Sequence, residues 1–563
     1  MGDRFRRSRE YVRWRWLISE SGPFKKLVTL QKYYWPAQRV PTASYTILED
    51  DSETQGVVDN NSGVYQSLID PHRKWYNNRR LIALHGWLFL LLITSSMNGF
   101  DASLMNGLQS EVSWNEYFNH PRGGRLGLIN AILNIGSVVA CPFAPYLSDG
   151  IGRRKTVAFG AVIMLAATAV QTAARSVGVF IAARFLVGFG LAIASNSAPM
   201  LVAEVSYPPY RGPVTSMYNC LWYSGSIIAA WTTFGAEHFN NTTWSWRLPS
   251  LLQGLPALAQ VLLIWFVPES PRWLVSEGRD SEAIEILAYY HADSNKKDPL
   301  IVYEYDEIKT SIELDRVSKA NVGWKSLFST PGNRKRLRII IALAWFSQWS
   351  GNGLVSFYLT KVLNNIGITK PSIQLLINGI LQTWNLFWAL LASSLVDKAG
   401  RRVLFLTSSS GMFVCFTLQT VLTARYLSTH DSGLAHAVIA FIFLFYAFYD
   451  LAFSPLIVSY ALEILPYPIR AKGFTLFHSM VSAAVIFNQY VNPIAMEHIA
   501  WKYYILYCVI LVFEVFFLYF FLEETKGLSL EETAVIFDGE DGAAKKIKEH
   551  AIEQVGLTPL GED

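Results

Sequence analysis

The phrases Asp149-Gly-Ile-Gly-Arg-Arg154 and Asp397-Lys-Ala-Gly-Arg-Arg402 decide how this chain is organised. Each is a short charged loop between two apolar stretches, and the two lie roughly 250 residues apart, as internal repeats of a membrane protein do. Glu204 and Glu463, each followed seven residues later by an arginine, keep nearly the same offset. The repetition predicts two homologous halves, and in proteins built this way the binding site lies between the halves.

The composition is that of a membrane protein. Hydrophobic residues make up 51% of the 563 residues, charged residues only 16%, and the mean hydropathy is positive. A soluble domain carries about 25% charged residues. The four cysteines lie in apolar stretches without CxxC spacing, so we expect neither a disulfide framework nor a metal site. A net charge of +4 gives no indication of nucleic-acid binding.

Apolar runs long enough to cross a bilayer, about 20 residues each, occur twelve times. We therefore predict an all-α membrane protein with twelve transmembrane helices in two six-helix halves, 82–268 and 336–522. The predicted spans centre on 82–104, 126–147, 156–174, 178–203, 213–234, 249–267, 337–360, 373–396, 403–424, 434–460, 473–494 and 501–522.

The basic loops predict the orientation of the chain. Lysines and arginines concentrate after the second, sixth and eighth spans, and such loops stay on the cytoplasmic side. We therefore expect a cytoplasmic tail at 1–81, a cytoplasmic helical linker at 269–335 and a cytoplasmic tail at 523–563. The sequons at Asn240 and Asn241 then fall in an extracellular loop, where glycosylation is expected.

Several of these phrases together resemble the sugar porter family of the major facilitator superfamily. The resemblance runs from about residue 82 to 532. It rests on Asp149–Arg154, Arg184, Glu204–Gly212, Trp246–Pro249, Pro268–Leu274, Asp397–Arg402, Glu463–Arg470 and Glu524–Gly527. Within the family, Gln348–Tyr358 and Tyr460–Gly473 look most like fungal lactose-permease-type transporters.

In the resembled family, carboxylate–arginine pairs at the cytoplasmic helix ends tie helices together while the transporter is open outward and release them when it opens inward. Arginine suits this because its guanidinium stays charged and binds a carboxylate bidentately. The alternative is that the basic residues are only topology signals, although acidic residues contribute little to topology. The candidate gating residues are Arg153, Arg154, Glu204, Arg211, Glu269, Arg272, Asp397, Arg401, Arg402, Asp450, Glu463 and Arg470.

Charged residues within the spans are costly and therefore functional candidates. Asp101 in the first span resembles the aspartate of proton-coupled sugar porters, and Arg184 in the fourth span is its expected partner. Together they are the candidate proton-coupling pair, unless they form a permanently ionised structural pair. Glu514 has no motif around it, and we expect an isolated carboxyl with its hydrogen bonds satisfied.

Sugar hydroxyls are recognised by amides, and the apolar sugar face by aromatic rings. The resemblance places the substrate-binding candidates at Asn219, Gln348, Asn352, Asn385 and Trp384. It also places Ser347, Asn219 and Val458 where hexose carriers have bulkier side chains. The shortened side chains favour a disaccharide, unless Trp222, Trp349, Tyr358 or Trp384 refills the space.

The function expected from these residues is import of a sugar with a proton. The chain has no phosphate loop, nucleophile elbow or metal-ligand cluster, so we expect no enzyme, no catalytic residue and no cofactor, with the proton gradient as energy source. The alternatives are a hexose facilitator or symporter, a sugar sensor that transports little, and an exporter. We expect a monomer in the plasma membrane with both termini cytoplasmic. Its expected partners are the lipid bilayer, a small sugar and protons.

Overall fold

The computed structural model describes residue 68 and residues 73–239, 242–321, 324–526, 533 and 536–538. This part of the chain is helical and contains no β-strand. Residues Pro71–Leu528 form one compact unit. The helices of the first half are α1 Arg79–Ser110, α2 Val112–Tyr117, α3 Gly123–Ala140, α4 Ala144–Ile151, α5 Arg153–Thr172, α6 Val177–Val205, α7 Pro208–Ala236, α8 Trp244–Leu252 and α9 Gly254–Leu263.

The second half follows a group of linker helices. The linker helices are α10 Pro271–Ser276, α11 Asp280–His291, α12 Pro299–Asn321 and α13 Ser326–Ser329. The second half comprises α14 Pro331–Trp349, α15 Asn352–Asn365, α16 Pro371–Ala399, α17 Arg401–Thr429, α18 Ser432–Ala452, α19 Leu456–Ile464, α20 Tyr467–Ile499 and α21 Tyr503–Phe521. Short 3₁₀ turns occupy Glu237–Phe239, Ile264–Phe266 and Ala500–Lys502.

Every predicted span corresponds to one helix or to a pair of helices in line. By length and hydropathy, nine segments of the described residues are able to cross a membrane, and the last of them, Lys472–Phe521, contains α20 and α21. The remaining two predicted spans are α7 and the pair α14–α15. The boundaries predicted between tails, halves and linker stay predictions.

Four spans are broken, and the sequence explains where. Pro142 separates α3 from α4, Gly254 and Pro256 follow the break between α8 and α9, and Pro455 lies between α18 and α19. Proline breaks a helix because it has no N–H and clashes with the preceding turn. Between α14 and α15, Gly351 has a φ of 97°, a left-handed value that favours glycine.

Helices within the first half approach each other closely at glycines. α1 packs along α7, and a Cβ at Gly99 would lie 1.8 Å from the Trp222 carbonyl oxygen, while one at Gly225 would lie 1.8 Å from that of Ser96. Small residues allow such approach where the bilayer provides no hydrophobic driving force between helices. The two halves meet through α3 against α20 and α7 against α16.

The close contact of α1 with α7 yields a stability prediction. Gly225→Ala puts a methyl group into backbone that cannot yield easily, and overpacking of this kind costs about 1–3 kcal/mol. We expect a clearly lower melting temperature of the detergent-solubilised protein. Gly86→Ala in α1 is the matched control, because a Cβ there meets nothing within 4 Å. Equal melting temperatures for the two variants would contradict this account of the α1–α7 contact.

Candidate functional site

A cavity of about 370 Å³ lies where the two halves meet. Helices α1 and α7 of the first half face α14–α16, α18 and α19 of the second half across it. Its wall mixes amides, hydroxyls and aromatic rings, which is the chemistry expected for a polar ligand with apolar faces. The lining residues are Ser95, Asn98, Ala102, Ser103, Tyr218, Trp222, Tyr223, Ser226, Gln348, Asn352, Ser356, Phe357, Gln382, Asn385, Tyr446, Tyr449, Ser454 and Val458.

Three of the predicted binding residues, Gln348, Asn352 and Asn385, lie together in this wall. The Asn352 amide nitrogen donates to the Ser347 carbonyl oxygen at 2.9 Å. The Oδ1 atoms of Asn352 and Asn385 are buried and have no hydrogen-bond partner among the described residues. Buried amide oxygens normally have a partner, so these two acceptors are available for donors of a ligand.

Of the two remaining predicted binding residues, one lies outside the wall and the other has no described side chain. Trp384 is not among the lining residues; its indole N–H donates to the Phe443 carbonyl oxygen at 2.8 Å. The side chain of Asn219 lies outside the described residues, as do the glycosylation candidates Asn240 and Asn241. Trp222, one of the four aromatic residues considered able to refill the space, lines the cavity. Val458 also lines the cavity.

The sequence analysis missed most of the aromatic and several polar lining residues. Tyr218 and Trp222 are four residues apart on α7, and Tyr446 and Tyr449 three apart on α18, so each pair shares a helix face. The spacing within each pair is the sequence signal from which these lining residues could be predicted. Tyr446 donates to the Asn352 carbonyl oxygen at 2.8 Å and Tyr449 to that of Ser347 at 2.9 Å, so both rings support the break between α14 and α15.

Asp450 connects the two halves at the cavity. It is completely buried in α18, and its Oδ1 accepts hydrogen bonds from the Tyr223 hydroxyl of α7 and the Ser454 hydroxyl, both at 2.5 Å. Tyr223 also contacts the Ser454 hydroxyl at 2.9 Å. A buried carboxylate thus holds one helix of each half, consistent with the gating role predicted for it.

Asp101 and Arg184 are both buried inside the first half, but they do not make a direct ion pair within 4.0 Å. Asp101 accepts a hydrogen bond from the Gln253 side chain, and Arg184 donates through Nε to the Ile129 carbonyl oxygen at 3.0 Å. The other oxygen of Asp101 and Nη1 of Arg184 are buried without a partner. Gln253, which the sequence analysis missed, sits at the break between α8 and α9.

Apart from Asp450, the predicted gating residues with described side chains gather at one end of the bundle, here called the motif face, which carries Arg153, Glu204, Arg401 and Glu463. In the first half, Arg153 Nε lies 3.4 Å from a Glu204 oxygen, and the Ser270 hydroxyl donates to the same carboxylate. Glu269 accepts from the backbone N–H of Arg154 at 3.1 Å, so it caps the start of α5.

The second half repeats this arrangement residue for residue. Arg401 Nη2 lies 3.2 Å from a Glu463 oxygen, and the Thr525 hydroxyl donates to that carboxylate at 2.6 Å. Glu524 accepts from the N–H groups of Arg401 and Arg402 at 2.8 and 3.0 Å, so it caps the start of α17. The repeated sequence phrases therefore fold into two equivalent polar clusters.

Glycine is required in both clusters by the capping carboxylate. Gly152 and Gly400 have φ values of 96° and 93°. A Cβ at Gly152 would lie 2.6 Å from Glu269 Oε2, and one at Gly400 would lie 2.8 Å from Glu524 Oε2. The carboxylate can reach the helix start only because no side chain stands there.

The other predicted gating residues have partners nearby in the same half or linker. Arg211 lies 3.8 Å from Glu304 of α12, Arg272 donates to the Ser311 hydroxyl at 2.9 Å, and Arg470 donates to the Leu465 carbonyl oxygen at 3.2 Å.

The side chain of Asp397 lies outside the described residues. Ser270, Glu524 and Thr525 were not among the predicted gating residues, although all three lie in the phrases Pro268–Leu274 and Glu524–Gly527 that carry the family resemblance.

At the end opposite the motif face, α1 closes against α15. Tyr358 has non-helical backbone angles that break α15, and side-chain amides of α1 take up the exposed backbone groups. Asn106 donates to the Ser356 carbonyl oxygen at 2.8 Å and accepts from the Leu359 N–H, while Gln109 donates to the Phe357 carbonyl oxygen at 2.8 Å.

At the motif face, α6 and α19 form no comparable contact among the described residues. The described contacts of α1 with α15 therefore join the two halves at the end opposite the motif face.

Comparison with known proteins identifies the arrangement. The family model "Sugar (and other) transporter" matches residues 87–537. The chain is 28% identical over 446 residues to an MFS-type transporter, criB, of Aspergillus cristatus, covering 79% of this chain and 91% of that protein. It is 27% identical over 461 residues to a high-affinity glucose transporter of Kluyveromyces lactis, covering 79% of this chain and 83% of the other.

Solved structures show the same fold. The inward-open conformation of the xylose transporter XylE from E. coli superposes with a TM-score of 0.66 at 22% identity, covering 81% of this chain and all of that one. XylE bound to 6-bromo-6-deoxy-D-glucose gives a TM-score of 0.62 at 24% identity, over 81% of this chain and all of that one. The predicted twelve-helix major facilitator fold is thereby confirmed.

The equivalence of the two clusters predicts matched defects. Glu204→Gln and Glu463→Gln each remove the partly buried charge that pairs with an arginine, and losing one partner of such a pair is costly. We expect normal membrane insertion but at least a tenfold loss of uptake per protein at the cell surface, because conformational cycling is impaired. Glu285→Gln, in an exposed pair with Lys296, is the control and should keep full uptake. Normal uptake by both test variants would overturn the gating role.

Proposed function

Because the chain belongs to the sugar porter family of the major facilitator superfamily, we propose that it imports a sugar together with a proton by alternating access. The observation that carries this proposal is the cavity between the halves, whose wall brings amides of the second half against tyrosine and tryptophan of the first. Amides match the hydroxyl groups of a sugar, and aromatic rings match its C–H face. The protein is a multi-pass membrane protein; we further propose the plasma membrane, cytoplasmic termini and a monomeric state.

Alternating access is supported by the two ends of the bundle. The amide contacts of α1 with α15 close one end, while the arginine–glutamate pairs at the motif face stay within their own halves. Given the predicted orientation, the motif face is cytoplasmic, and this is the inward-facing state. The pairs Arg153–Glu204 and Arg401–Glu463 stay formed in it, which differs from the release on inward opening that the resemblance implies. In the outward-facing state the contacts between α1 and α15 must separate and the motif face must close.

Proton coupling is supported by the buried Asp101. A charge in the membrane interior is costly unless it is neutralised, and Asp101 has one buried oxygen without a hydrogen-bond donor. Arg184 lies close enough to influence it electrostatically but not to neutralise it by contact. A proton can therefore neutralise Asp101 in one conformation and Arg184 in the other. Ala102 and Ser103, the next residues of α1, line the cavity, so movement of α1 links the two events.

A disaccharide is the favoured cargo because Val458 lines the cavity. By the family resemblance, hexose carriers have the bulkier tryptophan at this position. Asn352 and Asn385 leave acceptors free in the same wall. Lactose or a cellobiose-like sugar fits this expectation. A hexose is the second candidate, since relatives include a high-affinity glucose transporter of Kluyveromyces lactis, and Trp222 occupies part of the wall.

The proton-coupling proposal is tested by uptake in yeast that lacks its own sugar carriers. We expect radiolabelled lactose or cellobiose to accumulate at acidic pH, and a protonophore to abolish accumulation. Asp101→Asn should lose accumulation but retain sugar exchange, because the variant can no longer release or take up the proton. Glucose equilibration that ignores the protonophore, with unchanged uptake by Asp101→Asn, would make the protein a hexose facilitator.

The size of the cargo is tested by restoring bulk to the cavity. Val458→Trp fills space in the wall, so we expect at least a tenfold loss of disaccharide uptake with smaller loss for glucose. Val414→Trp on the exposed side of α17 is the control for the added indole and should transport normally. Undiminished disaccharide uptake by Val458→Trp would contradict the assignment of this wall.

A further inference from the structure

A second cavity, of about 320 Å³, lies at the motif face of the first half, away from the cavity between the halves. The start of α5 forms one side, the 3₁₀ turn Ile264–Phe266 and the following strand-like segment a second, and the linker helices α10 and α11 a third. It is lined by Arg154, Lys155, Phe266, Val267, Pro268, Glu269, Trp273, Leu274, Arg279, Glu282 and Ile286. Of these residues, the transport cycle described above uses only Arg154 and Glu269.

Positive charge predominates in this cavity, and part of it is unpaired. Both carboxylates are occupied: Glu269 caps α5, and Glu282 pairs with Arg279 through two hydrogen bonds of 2.5 and 2.8 Å. Lys155 has no ion-pair partner among the described residues. Arg154 donates through Nη1 to the backbone carbonyl oxygens of Trp265 and Val267.

The Nε atom of Arg154 is buried without a partner. The cavity can therefore bind an anion through two groups: the ammonium of Lys155, which has no ion-pair partner among the described residues, and the guanidinium of Arg154, whose Nε has no hydrogen-bond partner there.

The cavity borders an apolar surface that faces the bilayer. Phe266 is 65% exposed, Trp265 57% and Leu262 60%, and all three lie on the segment that leads into the cavity wall. Exposed aromatic residues at a helix end mark the level of lipid headgroups. An occupant whose anionic group sits at Lys155 can thus lay a hydrocarbon chain along Leu262 and Phe266.

Comparison of the two halves shows which residues create the cavity. Both halves have the capped helix start and a second arginine whose guanidinium donates to backbone carbonyls, Arg154 in one and Arg402 in the other. The position of Lys155 is taken in the second half by Val403, which is 55% exposed. The helix start alone therefore does not distinguish the first half; Lys155 and the linker residue Arg279 do.

We propose that this cavity binds the headgroup of an anionic phospholipid, with the phosphate at Lys155 and Arg154 and the acyl chains along Phe266 and Leu262. Basic cavities beside transmembrane helices on the cytoplasmic side are suited to such headgroups. Arg154 and Glu269 both join the start of α5 to the segment at 265–270.

The proposal is tested with the full-length protein in nanodiscs of phosphatidylcholine, to which phosphatidylserine is added in steps while lipid binding is followed by native mass spectrometry. We expect saturable binding of phosphatidylserine. Lys155→Val, which copies the second half, should weaken it about fivefold, the usual contribution of one basic residue near a membrane surface. Glu282→Gln removes an acid from the cavity and should tighten it.

Lys296→Gln is the matched control, because Lys296 is an exposed linker cation paired with Glu285 outside the cavity. An equal effect of Lys296→Gln and Lys155→Val would show that the lipid is held by diffuse electrostatic attraction, and it would overturn the proposed site. Equal binding of phosphatidylcholine would also overturn it. If inorganic phosphate in solution displaces the lipid at millimolar concentration, the ligand is free phosphate and the lipid proposal is wrong.

Discussion

The capping of two helix starts by glutamates is the interaction on which the motif face depends. Glu269 binds the Arg154 N–H at the start of α5, and Glu524 binds the N–H groups of Arg401 and Arg402 at the start of α17. The helix dipole and the unsatisfied N–H groups make this end favourable for a carboxylate. Each cap fixes the arginine beside it, Arg153 or Arg401, against the glutamate at the end of a neighbouring helix. Because both clusters are built alike, the two halves can move as equivalent rigid bodies.

The need to satisfy backbone groups inside the membrane shapes the rest of the molecule. Broken helices are tolerated at membrane depth only where other groups take up the freed N–H and C=O groups or where a cavity is lined. The break at Gly351 brings Asn352 to the cavity, and the break at Tyr358 exposes carbonyl groups that Asn106 and Gln109 bind. The breaks thus provide both the ligand-binding groups and the contact that closes one end.

Much of the fold could be predicted from the sequence because short charged phrases stand out between apolar runs. The repeat of Asp149–Arg154 at Asp397–Arg402 predicted the two halves, and Gln348, Asn352 and Asn385 do lie in one cavity wall. Trp384 does not line it, since neighbouring residues on a helix point about 100° apart and Asn385 takes the inward direction.

Other features left little trace in the sequence. The capping role of Glu524 was not predicted, although Glu524–Gly527 was one of the phrases that carry the family resemblance. The break at Tyr358 carries no glycine or proline of its own, so only tertiary contacts define it.

The central claim is that the two halves rock about the cavity and open one end at a time. It is tested most directly by electron–electron distance measurements between spin labels, in a background without the four native cysteines. One pair of labels, at the equivalent exposed positions 150 and 398, reports on the motif face; a second pair, at 116 and 370, reports on the opposite end. The account predicts that sugar at acidic pH shifts the two distances in opposite directions. Distances that change together, or a motif-face distance that sugar leaves unchanged, would contradict it.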